Sequence, residues 1–179
     1  MKAIETLMGE HQVILKVLNS LEDCIDDRDT AKLKEHLPDY VTFIQGFADK
    51  LHHGKEEDIL FRELGNYGFP SDTGPVMVML HEHDLGRGLV KTLEEMSEKD
   101  RWDDDDLRTA KEAGTKYITL LRQHINKEDT ILFPMAKASL PEASLTAIDD
   151  EFDLYGNDSA NSERRRELEA LAEVLVGMK

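Results

Sequence analysis

Apolar residues recur every three or four positions along most of the chain, which is the spacing of amphipathic α-helices. The stripes predict four long helices, over about residues 4–25, 31–64, 76–93 and 110–135. Polar runs rich in aspartate, asparagine, glycine and proline separate them and predict short turns. No segment shows the regular alternation of a half-buried strand. The pattern therefore predicts an all-α protein whose core is an up-down-up-down four-helix bundle.

The end of the chain has a different pattern. Residues 149–156 favour a short helix or an ordered loop, and residues 163–176 predict an additional C-terminal helix with Leu168, Leu171 and Leu175 on its apolar side. We therefore divide the chain into a bundle domain, residues 1–140, and a C-terminal extension, residues 141–179. We expect the final helix to pack outside the bundle or against a partner, and its sequence indicates no function.

The two halves of the bundle domain match each other at an offset of 72 residues. The matching positions are His52 with His124, Lys55 with Lys127, Glu56 with Glu128, and Glu10-His11 with Glu82-His83. Histidine is rare in this chain, with 7 among 179 residues, so two histidine matches at one shared offset are unlikely to be accidental. The bundle domain is therefore predicted to be a duplicated helical hairpin.

One histidine of each predicted helix falls at the same level of the bundle. The midpoints between successive members of the series 11, 52, 83 and 124 all lie at or beside predicted turns. His52 with Glu56 and His124 with Glu128 are i,i+4 pairs, so each pair shares a helix face. Burying two unpaired carboxylates would cost several kcal/mol each, and bound metal removes that cost. Imidazole and carboxylate suit iron, manganese or zinc. The candidate metal ligands are His11, His52, Glu56, His83, His124 and Glu128.

Composition narrows the class of protein. The chain carries 22 Lys and Arg against 38 Asp and Glu, a formal net charge of −16, which disfavours nucleic acid and anionic membranes as partners. Its single cysteine, Cys24, excludes an internal disulfide and a paired-cysteine zinc site. No apolar run approaches the ~20 residues of a membrane span, and the N-terminus lacks a secretory h-region. We expect a cytoplasmic protein.

These motifs resemble the hemerythrin-like family, specifically bacterial and archaeal HHE cation-binding domains. The resemblance covers roughly residues 3–138 and is carried by the two histidine–glutamate pairs, the matching Lys55 and Lys127, and the Glu-His pairs at 10–11 and 82–83. It implies a four-helix bundle around two non-haem iron ions with carboxylate and oxo or hydroxo bridges, for which zinc could substitute. It also implies dioxygen or another diatomic or peroxide molecule as the ligand.

Three functions stay open. We favour a binding protein that takes dioxygen or a related small ligand for sensing, storage or the response to oxidative or nitrosative stress. The alternatives are a di-iron enzyme, acting as peroxidase, oxidase or nitrosative-damage repair protein, and an iron or zinc reservoir or regulator. No residue is assigned a catalytic role, and no protein partner is indicated.

Some site residues stay ambiguous. Oxygen-carrying members of the family have a fifth histidine where this chain has Met79, so we expect a symmetric site with two histidines per metal. His53 and Glu57 form a competing pair of the same spacing, although the repeat favours His52 and Glu56. His81 is expected at the surface because two helical positions rotate it by ~200° away from Met79. Glu10 and Glu82 are expected either to orient ligand imidazoles or to be exposed.

Overall fold

A computed structural model of the chain describes residues 1–178, which form six helices and no strand. The helices are α1 (Lys2–Asp26), α2 (Thr30–Phe43, continuing through Ile44–His53 and Glu56–Phe61 to Arg62–Asn66), α3 (Gly74–Ser97), α4 (Asp104–Lys127, continuing through Glu128–Leu132 to Phe133–Ser139), α5 (Glu142–Asn157) and α6 (Ser159–Gly177). The prediction of an all-α protein is confirmed. Three stretches are π-helical, namely Ile44–His53 and Glu56–Phe61 in α2 and Glu128–Leu132 in α4.

Aspartate side chains begin two of the long helices. The Asp29 carboxylate accepts a hydrogen bond from the Ala31 N–H at the start of α2. At the start of α4, Asp103 accepts from the Asp106 N–H at 2.8 Å and the Asp106 carboxylate accepts from the Asp103 N–H at 3.3 Å. This reciprocal pair is a capping box, which satisfies helix N–H groups that have no partner within the helix. The sequence predicted only a turn for the four aspartates at 103–106, and these residues also determine where α4 begins.

The first four helices contact one another in a ring. Helix α1 packs on α2 and α4, and α3 packs on α2 and α4. Contacts between α1 and α4 join Glu22 to Arg122 and His11 to Asp129, so residue numbers rise along one helix as they fall along the other. Glu57–His83 and Asp49–Arg87 show the same relation between α2 and α3.

Two apolar clusters fill the interior, and a polar layer separates them. In α1, Ile4 and Leu7 belong to one cluster, whereas Ile14 and Leu18 belong to the other. His11 lies between these two pairs and is fully buried. Because apolar cores exclude water on both sides of it, this layer is the place where buried polar groups need a compensating partner.

The extension contains two helices. One is the predicted C-terminal helix, and the other covers the residues for which the sequence favoured a short helix or an ordered loop. Residues 149–156 belong to the 16-residue helix α5, of which only Ser144, Ile148 and Phe152 are buried. So sparse an apolar stripe does not identify a helix from sequence. Both helices pack on the outside of the bundle against α1 and α2, and Leu175 is fully buried there. Within residues 1–178, no helix combines the length and apolarity that crossing a bilayer requires.

Candidate metal centre

The polar layer consists of seven buried side chains contributed by all four helices of the ring. They are His11 from α1, His52, His53 and Glu56 from α2, His83 from α3, and His124 and Glu128 from α4. All six residues predicted as ligands are therefore brought together at one level. His53 joins them although the sequence favoured its neighbour alone.

The carboxylates of Glu56 and Glu128 each lie between two imidazoles. The Glu128 oxygens lie 3.2 Å from Nε2 of His11 and 3.2 Å from Nε2 of His124. The Glu56 oxygens lie 3.6 Å from Nε2 of His52 and 3.6 Å from Nε2 of His83. Each glutamate thus faces both sides of the layer, which is the arrangement that a bridging carboxylate requires.

The imidazoles divide into two groups. Nε2 of His11 lies 3.0 Å from Nε2 of His52, and Nε2 of His83 lies 3.0 Å from Nε2 of His124. Two sets of donor atoms lie within 4.8 Å of one another, His11, His52, Glu56 and Glu128 in the first and His53, Glu56, His83 and His124 in the second. The two sets share Glu56, so they are adjacent halves of a single centre. We call them the His11–His52 group and the His83–His124 group.

His53 makes the centre asymmetric. Its ring stacks on the His83 ring with the centroids 3.7 Å apart, and its buried Nε2 has no hydrogen-bond partner among the described residues. This arrangement differs from the expected two histidines on each side, since a third imidazole joins the His83–His124 group. His53 ends the π-helical stretch of α2, in which i→i+5 bonding gives more residues per turn than an α-helix has. Successive side chains then diverge by a smaller angle, and both His52 and His53 reach the layer.

Every imidazole of the layer holds its Nδ1 atom toward a carboxylate. The pairs are His11 with Asp129 at 2.8 Å, His52 with Glu10 at 2.9 Å, His53 with Asp49 at 3.4 Å, His83 with Glu57 at 2.7 Å and His124 with Glu82 at 3.0 Å. An Nδ1–H donated outward leaves Nε2 free to bind a cation at the centre. Glu10 and Glu82 are thus confirmed as partners of imidazoles, and each reaches the histidine of a neighbouring helix.

Cations surround the outer carboxylates. Lys55 and Arg165 donate to Glu10, Lys127 donates to Glu82, and Arg87 donates to both Asp49 and Glu57. Burial raises the pKa of the Glu10 carboxyl, but His52 and Lys55 outweigh burial and lower it to about 2. Glu10 therefore stays charged and keeps accepting from His52.

The pKa values of the two central carboxyl groups, Glu56 and Glu128, are shifted in opposite directions. Burial, and then the charge of Glu128, raises the pKa of Glu56 well above its usual range. Burial acts the same way on Glu128, but His124 and His11 hold its pKa well below the usual range. Burial likewise lowers the pKa of His11, which Asp129 and Glu128 then raise to about 9. Without a cation the layer therefore holds protons, which metal binding must displace.

The donor atoms fit divalent cations. No oxygen of Glu56 or Glu128 accepts a hydrogen bond from the residues that the structure describes. A buried acceptor without a partner costs roughly 1–3 kcal/mol, more when it is charged, so four such oxygens and Nε2 of His53 call for a shared partner. Nitrogen and oxygen donors without a thiolate suit iron, manganese or zinc.

Comparison with known families agrees with this chemistry. The family model for the hemerythrin HHE cation binding domain matches residues 2–136. The chain belongs to this family. No curated protein and no solved structure matches the chain. The matched residues include all seven members of the layer and end before α5 and α6, so the C-terminal helices are additions to the HHE domain.

Other residues considered from the sequence lie outside the layer of the HHE domain. Met79 belongs to an apolar cluster, and His81 is exposed on α3. Glu57 points away from the centre toward His83 and Arg87, so the competing His53–Glu57 pair is divided between the inside and the outside of the layer.

A cavity connects the polar layer with the surface. It has a volume of about 260 Å³ and lies between α2, α3 and α4, where it reaches His53, His83 and His124. Ile44, Val90, Tyr117 and Leu121 contribute to its walls, and Arg87, Lys91 and Glu94 lie nearer solvent. The cavity approaches the His83–His124 group and not the His11–His52 group.

Proposed function

We propose that this HHE domain holds two non-haem iron ions and binds dioxygen or a related small molecule at them. The observation that carries the proposal is the pair of donor groups that share Glu56, with Glu128 facing both. One ion in each group would satisfy the otherwise unpartnered oxygens of both glutamates. Membership of the HHE cation binding family supports cation binding by this domain.

The residues have separable roles in this proposal. His11 and His52 would hold one ion, His53, His83 and His124 the other, with Glu56 and Glu128 between them. Bound iron supplies an exchange between ferrous and ferric states and positions for a small exogenous ligand. The outer carboxylates accept from Nδ1 of the imidazoles, which orients the rings and leaves Nε2 free for a cation. The apolar clusters exclude bulk water, and the cavity offers a small molecule a way in.

The proposal extends to the arrangement of the chain and its location. We propose an up-down-up-down bundle for α1 to α4, which the opposed residue numbering across the α1–α4 and α2–α3 contacts supports. We also propose a cytoplasmic location, where a free thiol such as that of Cys24 stays reduced.

Anaerobic reconstitution with ferrous iron followed by addition of dioxygen tests the function. We expect a change in the near-ultraviolet and visible spectrum on adding oxygen, which reports ligand binding or oxidation at iron. Glu56→Ala, which removes the shared carboxylate, should abolish the change, whereas Glu35→Ala at an exposed position of α2 should keep it. Loaded protein whose spectrum does not respond to oxygen would contradict the proposal.

Peroxide reduction is a second candidate function, favoured by Tyr117. This residue is buried and lines the cavity that reaches His53, His83 and His124. A phenol in that position can donate a proton to a peroxide entering the cavity. Mixing the ferrous protein with hydrogen peroxide should then oxidise iron more slowly in Tyr117→Phe. Equal rates in the variant and the wild type would remove this candidate.

A further inference from the structure

The two halves of the duplicated bundle hold their outer carboxylates in different surroundings. Glu10 and Glu82 occupy matching positions, and each accepts from one imidazole and one lysine, Lys55 or Lys127. The side chain of Glu10 is 1% exposed and that of Glu82 is 14% exposed. The exposures of their lysines are 4% and 34%. The difference arises because α5 and α6 cover only the half formed by α1 and α2.

Glu10 has a second cationic partner, which comes from α6. Nη1 of Arg165 donates to Oε1 of Glu10 at 2.7 Å, while Oε2 of Glu10 accepts from Nδ1 of His52 at 2.9 Å. Arg165 is itself fixed, because Nε donates to Glu169 at 2.8 Å and the guanidinium lies 5.9 Å from the centre of the Phe47 ring. Within residues 1–178 no cation from outside the bundle contacts Glu82. The asymmetry therefore originates in the C-terminal helix.

The position at which α6 packs on the bundle determines where Arg165 lies. A Cβ atom at Gly46 would be 2.8 Å from Cδ1 of Leu168, so α6 packs closely on α2 at this point. About two turns further along α6, the carbonyl of Leu175 accepts a hydrogen bond from the Ser20 hydroxyl at 2.6 Å. Apolar and polar contacts thus dock α6 on both α1 and α2, with Arg165 above the buried Glu10.

We propose that α6 is a positioning element of the metal centre, in which Arg165 fixes Glu10 and, through Glu10, the imidazole of His52. Docking of α6 and metal binding by the His11–His52 group then stabilise each other. The inference rests on the proposed metal site and adds a positioning element outside the HHE domain. Removing the direct outer partner of a metal-bound histidine typically weakens affinity about 10- to 100-fold. Arg165 acts through such a partner, Glu10, which also keeps Lys55, so its loss should weaken affinity less, up to about tenfold. Coupling between two binding events is reciprocal, so metal must also hold α6 more firmly.

Metal affinity tests the positioning role. Titration of the metal-free full chain with Co²⁺, followed by its visible absorption, is carried out on wild type, Arg165→Gln, Arg165→Lys and Arg166→Gln. We expect Arg165→Gln to weaken one of the two binding events by up to about tenfold, and Arg165→Lys to restore most of the loss. Arg166→Gln makes the same charge change at an exposed position of α6 and should match wild type.

Hydrogen exchange tests the reverse direction. In wild type, Co²⁺ should slow amide exchange within α6, and in Arg165→Gln the metal should leave α6 exchange unchanged. If Arg165→Gln releases α6 even without metal, Arg165→Lys decides the question, because it must then recover both docking and affinity. A wild type that binds fewer than two ions overturns the proposed function. A wild type that binds two, with Arg165→Gln equal to it in both measurements, overturns this inference alone.

Discussion

At the scale of single residues, the centre depends on which imidazoles reach the layer. His11, His52, His83 and His124 could be predicted because each lies in an apolar stripe and recurs in the repeat. His53 could not, because consecutive residues of an α-helix diverge by ~100° and only the π-helical geometry of α2 brings both members of the pair inward. The His-His doublet beside a repeated histidine was the available signal.

Replacing His53 tests its place in the centre. His53→Ala removes the third imidazole of the His83–His124 group, so we expect binding of one of two Co²⁺ ions to weaken at least about tenfold. His81→Ala changes an exposed histidine on α3 and should leave both binding events unchanged. A titration of His53→Ala that overlays wild type would show that His53 only packs against His83.

Glu10 makes the stability of the metal-free protein depend on pH. The folded state lowers the pKa of Glu10 from 4.5 to about 2, since His52 and Lys55 outweigh burial. This stabilisation, about 3 kcal/mol, is fully present above pH 4.5 and is lost as the pH falls toward 2. Urea unfolding of metal-free protein between pH 5 and 2.5 should show this loss, and Glu10→Gln should show less of it. An identical pH dependence in both proteins would contradict the assigned contacts.

At the scale of helices, polar and apolar patterning predicted the four long helices and their turns, because their buried residues recur every three or four positions. The π-helical stretches have no such pattern of their own. Helix α5 was not predicted as a full helix since it buries so few residues, and its place depends on a surface that α1 and α2 form only after folding. Ile131, which matches Ile59 in the repeat, is 59% exposed because the extension covers only the Ile59 side.

The start of α4 offers a test at this scale. Asp103→Ala removes the carboxylate that accepts from the Asp106 N–H, so the free energy of unfolding should fall by about 1 kcal/mol. Asp104→Ala, in the same acidic run but outside the reciprocal pair, should change it less. Chemical denaturation of both variants measures the difference. Equal effects would mean that the charge of the run matters rather than the cap.

At the scale of the whole molecule, folding places the polar layer between two apolar clusters, and a bound cation would compensate the buried carboxylates of that layer. Metal that binds the folded state alone stabilises it in proportion to the logarithm of its concentration over the dissociation constant. A hundredfold excess over that constant should add about 2.7 kcal/mol and raise the melting temperature by several degrees. Calorimetry with and without ferrous iron measures this. Equal melting temperatures would mean that the metal does not bind preferentially to the folded state.

The central claim is that Glu56 and Glu128 join two donor groups into a single dinuclear centre. It is tested most directly by counting iron after anaerobic reconstitution with excess ferrous iron and removal of unbound metal. Iron is determined by elemental analysis and protein by amino-acid analysis. We predict about two iron atoms per chain, one for each of the two donor groups. One iron atom per chain, or none, would contradict the claim.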